Sequence, residues 1–182
     1  MRRASLYFGD VVMMNFKTQR LEVKCLSPQD REAVIDLLTD DQVKQFYMVP
    51  DFSSREEAAP LFERLRQLSV GDNRLVAGIF LDGQCIGIMN EVETKDKRIE
   101  LGYALLPRYH NHGYCTEALK GAIDYLFCLG FKEVIAGAFE ENEASFRVMV
   151  KSGMEKQEYQ DEIEYRGKVH RCVYYAIRKR ES

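Results

Sequence analysis

The sequence predicts a single mixed α/β (α+β) domain. Three observations carry that prediction. Apolar spacing switches between strand-like alternation and helix-like periods, Asp82-Gly83 stands between two apolar runs, and a strand-like run from Arg98 to Leu106 leads through a Gly-bearing turn into an amphipathic segment. The first pattern alternates strands with helices. The second marks a two-residue hairpin and hence antiparallel neighbours. The third adds a strand–turn–helix unit packed on the sheet.

The elements follow in order. Arg20 to Leu26 alternates as a first strand would. Ser27-Pro28-Gln29-Asp30 opens a helix, with Ser as cap, Pro in the first position and an acid at the third; Val34, Ile35, Leu37 and Leu38 supply its buried face. A second helix opens at Ser53 or Ser54, with Glu56 or Glu57 as capping partner, and runs to about Leu68. Pro60 inside it removes a backbone donor, which predicts a kink or a restart. Strands at Leu75 to Leu81 and Cys85 to Asn90 form the Asp82-Gly83 hairpin. Arg98 to Leu106 continues the sheet until Pro107 ends regular pairing. After Gly113, Ala118, Leu119, Ala122, Ile123, Leu126 and Leu129 mark a helix stopped at Gly130. Lys132 to Ala138 reads as a strand and Glu143 to Lys151 as a helix with Gly153 beyond it. Two tail strands turn near Arg166-Gly167. The order is β-α-α-β-β-β-α-β-α-β-β, with no linker or repeat.

Composition excludes several classes. A chain of 182 residues is long enough for one domain with a real core. A formal charge of -3 gives no broad attraction to nucleic acid or to an anionic membrane. No apolar run approaches the roughly 20 residues of a membrane span. The five cysteines, Cys25, Cys85, Cys115, Cys128 and Cys172, form no CxxC pair and are odd in number, which predicts a reducing, cytoplasmic setting. Met1 to Met13 lack a signal-type hydrophobic segment, and the domain pattern starts near Thr18. Residues 1–17 therefore read as an N-terminal extension, either a genuine tail or an over-called start with Met14 as initiator, and 18–182 as the domain.

The stretch His110-Asn111-His112-Gly113-Tyr114-Cys115-Thr116-Glu117 is the most informative. A turn that feeds a helix directly offers unpaired backbone N–H groups and the positive end of the helix dipole. A diphosphate can take those donors without a basic side chain, which points to a nucleotide-derived cofactor. His110, His112 and Cys115 also suit zinc as ligand types, but no second ligand pair accompanies them, and His170 is far away in sequence. No metal is expected.

On these motifs the chain resembles the GNAT superfamily of acyl-CoA-dependent N-acetyltransferases, and within it the ribosomal-protein N-terminal acetyltransferase (RimJ/RimL-like) branch. The marks are Thr18-Gln19-Arg20-Leu21, Glu100-Leu101-Gly102-Tyr103, Gly113-Tyr114-Cys115-Thr116-Glu117-Ala118-Leu119, Glu141-Asn142-Glu143-Ala144-Ser145 and Lys151-Ser152-Gly153-Met154. Their order and spacing cover nearly the whole chain from Thr18. The resemblance implies a mostly antiparallel sheet of about seven strands, with the fourth and fifth splayed apart, and about four helices. It implies acetyl-CoA as cosubstrate. The pantetheine arm would lie in the gap against backbone groups of Ala104, Leu105 and Leu106, and the pyrophosphate on the amides of His110, Asn111, His112, Gly113, Tyr114, Cys115 and Thr116. The loop departs from the family pattern: His110 stands where Gln or Arg is usual, His112 where Gly, Lys or Arg is common, and Cys115 where Gly or Ala is usual.

The resemblance also assigns chemistry. Glu100 holds the fourth-strand position of a catalytic glutamate and is the first candidate for the base; a structural role is the alternative. Glu91 and Glu140 are weaker candidates because they end neighbouring strands. The tyrosine that many relatives use to protonate the leaving thiolate is replaced by Met149, and Ser145 is the candidate to hydrogen-bond the sulfur instead. Asn142 would hold the pantetheine arm or a helix end. Tyr159, Tyr165, Tyr174 and Tyr175 read as sheet residues. The implied activity is direct acetyl transfer to a primary amine, either a protein N-terminal α-amine or a small molecule. A catalytically inactive acyl-CoA-binding or partner-binding module is the alternative, and a homodimer through the tail hairpin or sheet edge is open. The two early helices with their loop, Phe46 to Asp51, and the acidic tail hairpin, with Asp161, Glu162 and Glu164, would choose the acceptor.

Overall fold

The computed structural model describes residues 13–71 and 74–180. Its centre is one sheet of eight strands: β1 (Phe16–Lys17), β2 (Leu21–Lys24), β3 (Val76–Leu81), β4 (Gln84–Lys95), β5 (Arg98–Leu105), β6 (Glu133–Phe139), β7 (Glu155–Tyr165) and β8 (Lys168–Arg178), in the order β1-β2-β3-β4-β5-β6-β8-β7. Every neighbouring pair is antiparallel except β5 with β6. Five helices pack on it: α1 (Arg31–Thr39), α2 (Asp41–Lys44), α3 (Arg55–Val70), α4 (Tyr114–Cys128) and α5 (Glu143–Lys151). The sheet thus has one strand more than expected and the helices number one more.

Local chemistry explains the element starts. The Asp30 carboxylate accepts both the backbone N–H and the hydroxyl of Ser27 at 2.7 Å, which fixes the 3-10 turn that leads into α1. Asp40 caps the unexpected α2 by accepting the N–H groups of Gln42 and Val43. Ser54 accepts the Glu57 N–H, while Glu57 accepts that of Ser53, a reciprocal cap at the start of α3. The restart expected at Pro60 is not found: α3 runs unbroken. Proline in a helix interior costs about 3 kcal/mol, but Ala58 and Phe62 on either side are wholly buried in the α1–α3 core, and that packing holds the helix together. Asp82 and Gly83 both take positive φ (48° and 82°), the backbone of the expected two-residue hairpin.

Two apolar layers flank the sheet. Helices α4 and α5 cover one face, where Leu119, Ile123, Leu126 and Met149 meet Ile79, Ile86, Ile99 and Leu101. Helices α1 and α3 cover the other over β3 and β4, with Ile35, Leu38 and Phe62 against Phe80 and Ile88. Met14 is wholly buried in the α4 layer, and Phe16 pairs with Val23. The expected boundary at Thr18 therefore falls inside the packed fold, whereas the extension as far as residue 12 lies outside the described residues. No described helix is long and apolar enough to cross a membrane.

Candidate active site

The site begins where the sheet comes apart. β5 pairs with β4 along its whole length, from Arg98 to Leu105. It pairs with β6 only through Arg98, Ile99 and Glu100, opposite Glu133, Val134 and Ile135. Beyond Glu100 the two strands diverge, while β6 continues its ladder with β8 to Phe139. The expected splay is thus between β5 and β6, the fourth and fifth strands counted from Arg20.

The ladder decides which peptide groups face the gap. The Leu106 N–H donates to the Ile86 carbonyl at 2.9 Å, and the Ala104 carbonyl lies against Gly87 of β4. In an antiparallel pair alternate residues turn to the same partner, so Tyr103 and Leu105 present their peptide groups on the open side. Of Ala104, Leu105 and Leu106, the three residues expected to line the arm, only Leu105 faces the gap in this way. Its carbonyl contacts His110 Nε2 at 2.9 Å, which ties the next loop to the strand.

That loop is shaped by its backbone. Asn111 and Gly113 take φ of 62° and 79°, and the first α-helical bond of α4 runs from the Glu117 N–H to the Gly113 carbonyl at 3.0 Å. The amides of Gly113, Tyr114, Cys115 and Thr116 therefore have no acceptor within the helix. The His110 amide is different: it donates to Pro107 at 3.0 Å and is committed to the preceding turn. His112 Nδ1 lies 2.7 Å from the His110 carbonyl, and the His112 ring stacks on Tyr114. Burial pushes the Cys115 thiol up to about 12, so it stays protonated at neutral pH and acts as a small packing residue. Among the described residues no three His, Cys, Asp or Glu gather as metal ligands.

Strand alternation places the two candidate catalytic groups on opposite faces. Tyr103 packs with the α4–α5 layer, and its hydroxyl lies 3.0 Å from Ser145 Oγ. Ser145 stands in the first turn of α5, held there by Asn142 Oδ1, which accepts its N–H at 3.1 Å. Asn142 is thus the helix cap. Burial raises the Tyr103 phenol well above its usual value. Met149 is wholly buried in the core. Tyr103 escaped sequence reasoning; its only signal was its place in the Glu100-Leu101-Gly102-Tyr103 motif.

Glu100, three residues earlier, lies on the other face. Burial first, then the nearby carboxylates of Glu93 and Asp161, raise its carboxyl to about 7. Glu93 stands directly across the β4–β5 ladder, and Asp161 comes from the tail hairpin, where it accepts the Tyr174 hydroxyl at 2.9 Å. Glu91 and Glu140 are occupied elsewhere: Glu91 accepts the Leu75 N–H at 3.1 Å, and Glu140 pairs with Arg171 at 3.6 Å. Tyr165 links the two segments expected to choose the acceptor. Its hydroxyl donates to the Lys44 carbonyl at 2.7 Å, joining the tail hairpin to the α2–α3 region.

Residues 20–155 match the family model described as an acetyltransferase (GNAT) domain. The chain belongs to the GNAT acetyltransferase family. It is 31% identical over 153 residues to the uncharacterized N-acetyltransferase YnaD of Bacillus subtilis (strain 168), covering 79% of this chain and 84% of that one. Its fold is similar to that of a GNAT-family acetyltransferase from Bacillus anthracis, with a TM-score of 0.79 and 25% identity over 91% of this chain and 98% of the other. It also resembles the ribosomal L7/L12 α-N-protein acetyltransferase RimL in complex with coenzyme A, with a TM-score of 0.78 and 18% identity over 88% and 95% of the two chains. This acetyltransferase is accordingly an enzyme that takes acetyl-CoA as cosubstrate and acetylates an amine.

Proposed function

We propose that this acetyltransferase transfers acetyl directly to a primary α-amine, with Glu100 as base on one side of the β5–β6 gap and Ser145 beside the thioester sulfur on the other. The observation that carries the reading is the division of the two groups between opposite faces of a single opening. A nucleophile that reaches the carbonyl carbon from one side leaves the other free for the departing thiolate. Glu100 takes the proton from the attacking amine, the new C–N bond forms, and the C–S bond breaks. The Ser145 hydroxyl hydrogen-bonds the thiolate, which takes up a proton from solvent while Glu100 returns one to solvent.

The Glu100 environment supports an α-amine. At pH 7 an α-amine near 8 costs roughly 1 kcal/mol to deprotonate, whereas a lysine near 10.4 costs about 4 to 5. A carboxyl titrating at about 7 suits the easier task. The similar RimL is named for α-N-protein acetylation, and Phe46 to Asp51 with the tail hairpin are the segments assigned to the acceptor. Five free cysteines suit a reducing cytoplasm. The test is turnover with acetyl-CoA on a short peptide, its N-blocked form and a small primary amine. Acetylation of the free peptide alone supports the reading, and acetylation of the small amine alone replaces it with a metabolite acceptor.

A further inference from the structure

The loop from His110 to Thr116 contains no lysine or arginine, yet an arginine arrives from elsewhere. Arg20, at the entry to β2, reaches across to the start of α4. Its Nε donates to Glu117 Oε2 at 2.7 Å, and its Nη1 donates to the His112 carbonyl at 3.1 Å. Its guanidinium carbon lies 4.5 Å from the centre of the Tyr114 ring, and Nη2 comes within 3.5 Å of where a side chain on Gly113 would begin. The other Glu117 oxygen accepts the Arg20 N–H at 2.7 Å and the Thr18 hydroxyl at 2.6 Å. Nε and Nη1 are therefore anchored, and Nη2 lies beside the turn whose amides lack helical acceptors. The side chain remains 42% exposed, so a ligand can reach it.

We propose that Arg20 binds the pyrophosphate of acetyl-CoA, as the cation that the loop itself lacks. This rests on the reading that the cosubstrate's phosphates sit at the α4 turn. A planar guanidinium can give two parallel hydrogen bonds to phosphate oxygens. Glu117, Tyr114 and the His112 carbonyl hold it in place beforehand, so little side-chain freedom is lost on binding. The ion pair also fixes the angle between β2 and α4, which makes Arg20 a part of the site's frame as well as a ligand.

The test is calorimetric binding of acetyl-CoA, its 3′-dephospho form and acetyl-pantetheine to the wild type, Arg20→Gln and Glu117→Gln. Wild type that binds none of the three removes the cosubstrate reading itself. Given binding, Arg20→Gln is expected to weaken both phosphate-bearing ligands by about tenfold or more and to leave acetyl-pantetheine unchanged. Glu117→Gln loosens the Arg20 anchor but keeps the guanidinium, so it should weaken the same two ligands by less than Arg20→Gln does. An equal loss for all three ligands, a loss confined to acetyl-CoA, no loss at all, or a Glu117→Gln defect as large as that of Arg20→Gln would each overturn the proposal. Thermal unfolding of each variant without ligand shows whether the frame survives.

Discussion

At the scale of single residues, Glu100 gives the sharpest pH behaviour. Its base form appears as pH rises through about 7, so the acid limb of the rate profile should bend there. Glu100→Gln should lower turnover and abolish that bend, with the deficit shrinking at high pH as more of the amine is neutral. The same carboxyl affects stability. Between its unfolded value near 4.5 and about 7, the folded chain binds the proton and the unfolded chain does not, so stability falls as pH rises through that window. Glu100→Gln should consequently raise the melting temperature at pH 8 and leave it little changed at pH 4. Tyr103 concerns the leaving group. Its phenol stays protonated and must place its hydrogen somewhere, and Ser145 Oγ at 3.0 Å is the partner at hand. That would leave the Ser145 hydrogen for the sulfur. Ser145→Ala and Tyr103→Phe should both reduce kcat with little change in KM for acetyl-CoA, and the double variant should lose no more than the worse single one.

Among the elements, the α4 turn depends most on one backbone angle. Gly113 at φ 79° is in the left-handed region, where a Cβ costs roughly 1–2 kcal/mol. Gly113→Ala should lower stability by about that amount in urea unfolding and weaken acetyl-CoA more than acetyl-pantetheine. The turn was legible in the sequence because strand, glycine and helix are contiguous. So were the Ser27–Asp30 start of α1 and the Asp82-Gly83 hairpin, whose chemistry lies within a few neighbouring residues. Four features were not. β1 has two residues and α2 four, too short for any period to show. Arg20 meets Glu117 across 97 positions, and Tyr103 meets Ser145 across 42, distances at which local spacing carries no signal. The Glu100 position was identified by motif, but its raised carboxyl comes from burial first and then from Glu93 and Asp161, surroundings that only the fold assembles.

Over the whole molecule, the proposed acceptor face is assembled from segments that meet only in the folded state. Tyr165 binds the tail hairpin to the α2–α3 region through the Lys44 carbonyl, and Arg166 pairs with Asp51 beside it. Removing the hydroxyl in Tyr165→Phe should cost about 1 kcal/mol of stability and raise KM for the amine without changing that for acetyl-CoA. The short β5–β6 pairing has a further consequence for motion. Three residue pairs at one end join a five-stranded leaf to a three-stranded one, and the open edge of β5 leaves peptide groups outside any ladder. Amide hydrogens at Tyr103 and Leu105 should then exchange with deuterium far faster than those of Ala104 and Leu106, one step along the same strand. Saturating acetyl-CoA should slow the fast pair selectively. The opening in the sheet would thus be visible as a two-residue rhythm in exchange rates, with the thioester's own amides acting as the missing strand.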